Sequence, residues 1–273
     1  MRVEACCQSL LSEIISEIDP QKAGFCIDVG VGTFAFYCEV FAKLGYPTIA
    51  VEPLPVKKLR QISDTYNIQL IESCLSNVDD QQLLYLGNFA GLFNSNFSSL
   101  SPEWFGSSQK KKEVQSITLP TLLEKIKASQ ITCLKLDIEG WEFNVIQQLP
   151  HISSSLIPKL IMFEYGGGVN KKKGKKGWSK EFLEKTLNCL SILQKCGYQS
   201  SIMIDFAPHT QERFFDLQSL NLADDQLFND KSVYGNIISL KDANISQEKI
   251  HTICQSYYNS SLIELLVNAL VSR

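Results

Sequence analysis

Short apolar runs alternate with helix-length amphipathic stretches through most of the chain, the pattern of a parallel sheet whose strands are joined by crossover helices. Residues 1–20 set apolar positions among Glu4, Glu13, Glu17 and Asp19, which predicts an amphipathic leading helix. Strands are predicted at 24–29, 47–51 and 68–71, with helices at 34–44 and 55–66 between them. Two β-like runs, 82–87 and 114–119, flank a polar loop at 94–108, and a helix follows at 122–128. A strongly apolar strand at 131–138, a helix at 142–149, a strand at 159–164 and a helix at 178–196 continue the alternation.

The end of the chain breaks the rhythm. Residues 198–206 and 234–240 are both β-like with no good helix between them, which predicts an antiparallel hairpin closing the sheet, and 247–271 reads as a terminal helix. There is no internal repeat and no second domain: 1–23 is a helical lead, 24–240 the α/β domain, and 241–273 a C-terminal helix packed on it.

Composition changes this picture little. With 273 residues, 44% hydrophobic and 20% charged, the chain can bury a full central sheet as one domain. A formal charge of -3 gives no positive field to attract nucleic acid or an anionic membrane. The nine cysteines form no CxxC pair and sit in apolar runs such as 25–27 and 132–134, where a thiol acts as a small hydrophobe, so a reducing, cytoplasmic compartment is expected. The acidic start is unlike a signal peptide, and no window approaches the roughly 18 consecutive apolar residues of a membrane span. The Asn-x-Ser triplets at Asn96, Asn244 and Asn259 therefore carry no glycosylation meaning.

The first chemical signal is Asp28-Val-Gly30-Val-Gly32-Thr33-Phe34, where a buried strand runs into a glycine turn and then a helix. Glycines permit a tight turn and leave room for a ligand beside the main chain. Dinucleotide enzymes use GxGxxG to seat a pyrophosphate on a helix N-terminus. Here the third glycine is missing and a carboxylate precedes the first, which would repel a pyrophosphate but suits a positive amino or sulfonium group. The second signal is Glu52-Pro53, a carboxylate ending the next strand, placed to accept both hydroxyls of a ribose. Leu75 and Ser76, after the third strand, are candidates for an adenine pocket. Taken singly, Asp28 or Glu52 would equally suit a solvated strand end or a helix cap.

The third signal is Lys135-Leu-Asp137-Ile-Glu139-Gly140-Trp-Glu142. With Asp28 to Gly30, Glu52-Pro53 and the Ser99-Leu100 pair, this segment makes the chain resemble the FkbM family of S-adenosylmethionine-dependent methyltransferases over roughly residues 24–164. The resemblance implies a class I methyltransferase Rossmann-like fold, with a mostly parallel central sheet, an antiparallel terminal hairpin and helices on both faces. It implies S-adenosyl-L-methionine as cofactor, held by Asp28, Gly30, Gly32, Thr33, Glu52, Pro53, Leu75, Ser76 and Asp137. It further implies natural-product biosynthesis, with a sugar, glycan, polyketide or peptide as acceptor. Gly32 stands where the family usually has asparagine, Phe34 where it has a last glycine, and Pro120 where it has aspartate. Phe34 would narrow the methionine end of the pocket, and the helix cap of that aspartate is missing.

Methyl transfer to oxygen needs alignment of two reactants and, for a hydroxyl, a base. Asp137 and Glu139, two apart in an extended chain, would face one side at the carboxyl edge of the sheet and are the first candidates. Lys135 lies one pleat deeper, where it could keep Asp137 ionised or form a plain buried salt bridge. Glu164 could join Asp137 and Glu139 as an oxygen-rich divalent site, an option the spacing allows without favouring it, and no metal is assigned. Among His151, His209 and His251 only His209 falls near an acceptor, and a loop histidine is usually surface. The glycine- and lysine-rich segment 166–177 could close over an anionic acceptor or be a solvated loop.

The reading is thus an O-methyltransferase acting on a hydroxyl or carboxylate of a small or medium-sized metabolite, without nucleic-acid or membrane partners. Nucleic-acid methylation lacks its D/N-P-P-Y and Pro-Cys motifs. A catalytically inactive partner subunit binding S-adenosylmethionine or S-adenosylhomocysteine is the first alternative, and a nicotinamide-dependent dehydrogenase the second.

Overall fold

The structure, a computed structural model, describes residues 1–89, 92–166, 180–206, 210–222, 227–228, 234–243 and 245–258. Its main sheet takes β1 (Phe25–Val29), β2 (Thr48–Val51), β3 (Gln69–Ile71), β8 (Ile131–Leu136), β9 (Leu160–Gly166), β10 (Tyr198–Asp205), β11 (Arg213–Asp216) and β12 (Tyr234–Lys241) in the order β11-β10-β12-β9-β8-β1-β2-β3. β3, β2, β1, β8 and β9 are mutually parallel, and β12 runs antiparallel between β9 and β10. This is the mostly parallel Rossmann-like sheet expected. The two late strands pair antiparallel as expected, β10 with β12, and β12 inserts between β9 and β10 so that both its edges are paired. β11 pairs antiparallel with β10 at the sheet edge and is not among the strands expected from the sequence, since four residues with two charges carry too little pattern.

Alternation along the strands sorts side chains onto two faces. Ile27, Val29, Leu134, Leu136, Ile161 and Phe163 face a core closed by α4 (Leu119–Lys125), α5 (Glu142–Ile146) and α6 (Lys180–Lys195). Cys26, Cys133, Leu160, Met162 and Ile238 face the other core, closed by α1 (Val3–Ile18), α2 (Phe36–Lys43) and α7 (Gln247–Gln255). α1 buries Val3, Cys6, Cys7, Leu10, Leu11, Ile14 and Ile15, a stripe at three- and four-residue spacing, and each such aliphatic side chain is worth about 1.5–3 kcal/mol of burial. α3 (Lys57–Tyr66) packs beside α2 through Leu59. The predicted terminal helix is described as α7 to Gln255, and its remainder lies outside the described residues.

A second sheet, in the order β4-β7-β5-β6, stands off the first. β5 (Gln81–Phe89) and β7 (Ser107–Ile117) form a long antiparallel pair, β6 (Leu92–Phe93) lengthens β5's edge, and β4 (Cys74–Leu75) joins the end of β7. This arm replaces the predicted polar loop with a short helical turn, Ser95–Phe97, and carries it over the carboxyl ends of β1, β2 and β8. The strand expected at 114–119 stops at Ile117, because Thr118 caps α4 by accepting the Thr121 N–H at 3.3 Å. Asp79 in turn accepts the Thr118 N–H at 2.7 Å, so the cap that Pro120 cannot supply is made by two other residues.

Candidate functional site

The carboxyl ends of β1, β2 and β8 open into a cavity of about 290 Å³, where the direction of chain crossover changes and α/β sheets bind ligands. Gly30, Gly32, Thr33, Glu52, Pro53, Leu75, Asp137 and Glu139 line it. At Gly30 the backbone has φ +73 and a Cβ would lie 1.7 Å from the Asp137 carbonyl oxygen, so the strand edge and the Asp137 turn meet only because the side chain is absent. Gly32, at φ +61, donates its N–H to Glu52 Oε2 at 3.0 Å, while Glu52 Oε1 accepts the Leu54 N–H at 3.0 Å. Each carboxylate oxygen keeps a free lone pair for a hydroxyl. Burial raises the Glu52 pKa despite these two N–H donors. The Thr33 N–H goes to Asn96 Oδ1 at 2.9 Å, so the arm's turn locks onto the glycine turn.

Asp28 lies behind this turn rather than in the cavity wall. Its Oδ2 accepts the Cys38 N–H at 3.0 Å in the first turn of α2, and its Oδ1 is 3.1 Å from Lys135 Nζ. Lys135 also donates to the Gly30 carbonyl at 3.2 Å and stands 3.4 Å from Asp137 Oδ2. Burial raises the Asp28 pKa and Lys135 opposes it; burial disfavours the Lys135 charge, but Asp28 and Asp137 outweigh it and raise that pKa. The pair props the glycine turn from below, and Lys135 too stays out of the cavity wall.

Asp137 and Glu139 do not extend β8. The strand ends at Leu136 and the chain turns, with Glu139 at φ +57 and Gly140 at φ +88. Glu142 Oε1 braces the turn by accepting the Ile138 N–H at 2.9 Å and the Gly140 N–H at 3.4 Å. The Ser99 hydroxyl ties the arm to the Glu139 carbonyl at 2.6 Å. The two carboxylates still converge, and Glu164 on β9 brings a third: one oxygen of each lies within 4.8 Å of the other two. Burial first, then Asp137 and the neighbouring glutamates, push the Glu139 and Glu164 pKa values well up, and burial takes Glu142 to about 7.

The remaining wall comes from residues with no motif in the sequence. Glu4 of α1 reaches the cavity and accepts the Tyr37 hydroxyl at 2.7 Å, and burial raises its pKa. At the opposite end Ser73, Cys74 and Leu75 line the cavity beside Trp141. Ser76 sits behind them, fully buried, its hydroxyl accepting the Trp141 indole N–H at 3.1 Å. Phe34 and Phe36 stand half-exposed at the mouth. His209 and the segment 167–177 lie outside the described residues.

Among the described residues no helix is long and apolar enough to cross a membrane. The family model described as "Methyltransferase FkbM domain" matches residues 24–200. No curated protein matches the chain in sequence. Among solved structures, the chain is similar to magnesium protoporphyrin IX methyltransferase (ChlM) from Synechocystis PCC 6803 with bound SAH, at 9% identity and a TM-score of 0.41 over 88% of this chain and 85% of that one. It is also similar to the methyltransferase domain of bacterial CtHen1-C, at 12% identity and a TM-score of 0.40 over 87% of this chain and 100% of that one. The corresponding CtHen1-CN domain aligns at 11% identity and a TM-score of 0.38 over 86% of this chain and 99% of that one.

Proposed function

This chain belongs to the FkbM methyltransferase family, and from that premise we propose that it transfers a methyl group from S-adenosylmethionine to an oxygen of a small or medium-sized acceptor, a sugar, glycan, polyketide or peptide natural product. The observation that carries the reading is a single cavity lined by two separate sets of carboxylates: Glu52 beside the glycine turn, and Asp137 with Glu139 after β8. The cradle fits a nucleoside with a positive sulfur, since the glycine turn leaves its backbone edge bare and the acidic or basic side chains lining the cavity are all carboxylates. Glu52 holds the ribose, Ser73 to Leu75 and Trp141 flank the base, and Gly30 with Asp137 receives the methionine end.

When bound, the sulfonium supplies an activated methyl group for in-line displacement. The chain's own residues orient and deprotonate. Lys135 fixes Gly30 and Asp137 in position, and Asp137 and Glu139 face the acceptor side, where the buried Glu139 carboxylate has the raised proton affinity a base near neutral pH requires. Nine thiols without a disulfide, eight of them buried, favour a reducing, cytoplasmic setting.

Calorimetric titration with S-adenosylmethionine and with NAD tests the cofactor; uptake of the first and not the second is expected, and the reverse overturns the reading. Incubation with methyl-labelled cofactor and host extract tests the chemistry. A labelled ether or ester is expected, told apart by alkali, which releases methanol from the ester alone. A protein that binds the cofactor yet labels nothing would instead be the inactive partner subunit.

A further inference from the structure

We propose that Asp137, Glu139 and Glu164 form a binding site for one divalent cation of the Mg²⁺ or Mn²⁺ kind, at the acceptor end of the cavity. The inference rests on the function proposed above for its purpose, but not for its geometry. One carboxylate oxygen of each residue lies within 4.8 Å of the other two. An ion with ligands at 2.0–2.1 Å places adjacent oxygens about 3 Å apart and opposite ones about 4.2 Å apart, so the three side chains reach one coordination shell by drawing inward around the ion. They come from the turn after β8 and from β9, neighbouring strands whose register is fixed by pairing.

One further observation points to a missing partner. Glu164 Oε2 is buried without a hydrogen bond. A buried carboxylate oxygen left without a donor costs free energy that a cation recovers. Among the described residues the nearby cations are already engaged: Lys135 lies between Asp28 and Asp137, and Lys185, on the wall of the small void behind Glu164, pairs with Glu181 at 2.6 Å. Among the described residues, Asp28, Asp137, Glu139 and Glu164 therefore face the single charge of Lys135.

An ion here would hold the acceptor's oxygen in an open position and make its hydroxyl more acidic. The hydroxyl proton passes to a carboxylate oxygen not on the ion, the oxygen's electron pair forms the new bond to the methyl carbon, and the carbon–sulfur pair returns to sulfur. All atoms and electrons are supplied by acceptor and cofactor.

Titration with Mn²⁺ near neutral pH, read by loss of the free-ion paramagnetic resonance signal, tests the site. One ion per chain is expected, displaced by Mg²⁺, with binding weakened ~10-fold or more in Glu164→Gln. No saturable site in the wild type, or a Glu164→Gln protein that binds as the wild type does, overturns it; protons would then balance the carboxylates. Should the variant not fold, a Mn²⁺-dependent rise in the wild-type melting temperature decides alone, and its absence is equally fatal. Titration of the same samples with S-adenosylmethionine separates the readings. Cofactor uptake without Mn²⁺ uptake sinks only the ion site, and Mn²⁺ uptake without cofactor uptake sinks only the proposed function.

Discussion

Asp28 and Lys135 stand side by side in register on adjacent parallel strands and form an ion pair at 3.1 Å, with 1% and 3% of their side chains exposed. Removing one member leaves the other charged and buried, which typically costs roughly 3–5 kcal/mol, whereas replacing both by apolar groups costs much less. Lys135→Met and Asp28→Leu are each expected to destabilise by that amount, and the double variant by less than their sum. Urea unfolding of the four proteins measures the coupling. Additive losses would show that the two charges do not sense one another and would remove the prop under Gly30.

Glu52 is the residue on which cofactor affinity should depend most directly. Glu52→Ala removes two acceptor oxygens from the proposed ribose site and is expected to weaken S-adenosylmethionine binding ~10- to 100-fold, the equivalent of about one hydrogen bond to a charged group. Glu52→Gln keeps one acceptor oxygen and should fall between. Calorimetry provides the comparison, and unchanged affinity in the alanine variant would move the ribose elsewhere.

What the sequence made legible is what the chain builds locally. A strand entering a glycine turn, and a carboxylate ending the next strand, are set by neighbours a few residues apart, so Gly30, Gly32 and Glu52 line the cavity as their spacing implies. Asp28 and Lys135 were visible as motif residues, but their direction was not: alternation turns both toward the face beneath α1 and α2, and neither lines the cavity. Glu139 shows the limit of extrapolating a strand, since its left-handed backbone depends on Glu142 collecting the N–H groups of the turn. Glu4 and Asn96 reach the cavity through the packing of α1 and of the arm, contacts that span 33 and 63 residues and leave no local pattern.

Asp19 should give the protein an acid limb. It ends α1 and ties it to the sheet, accepting the Gly24 N–H at 3.0 Å and the Thr132 hydroxyl, with Lys159 Nζ at 3.5 Å. Burial alone would raise its pKa, but these hydrogen bonds and Lys159 hold it below the ordinary aspartate value of 3.8. A folded-state pKa lowered in this way stabilises the fold above the unfolded value, and the contribution is lost as pH falls through the folded one. Asp19→Asn is therefore expected to cost about 1–3 kcal/mol near neutral pH, and the gap from wild type should narrow in acid. Urea unfolding at about pH 7 and about pH 3 checks it; a gap that widens in acid contradicts the assignment.

Phe34 and Phe36 are exposed aromatic residues at the start of α2. Their rings stack at 5.0 Å with 4° between planes while remaining 50% and 43% exposed, and both line the cavity mouth. Large apolar groups left in water beside a ligand cavity suit a surface that is covered on binding. Lys58 Nζ lies 5.8 Å from the Phe34 centroid, a weak cation–π contact at an exposed site that adds little to stability. Phe34→Ala should thus change folding stability by no more than about 0.5 kcal/mol. Aromatic contacts of this kind are worth about 0.5–1.5 kcal/mol, so binding of S-adenosylmethionine or of the acceptor should weaken ~2- to 10-fold. Melting temperature and calorimetry together separate the two effects. A large fall in melting temperature with unchanged binding would make the pair a fold element and leave the cavity mouth without its aromatic rim.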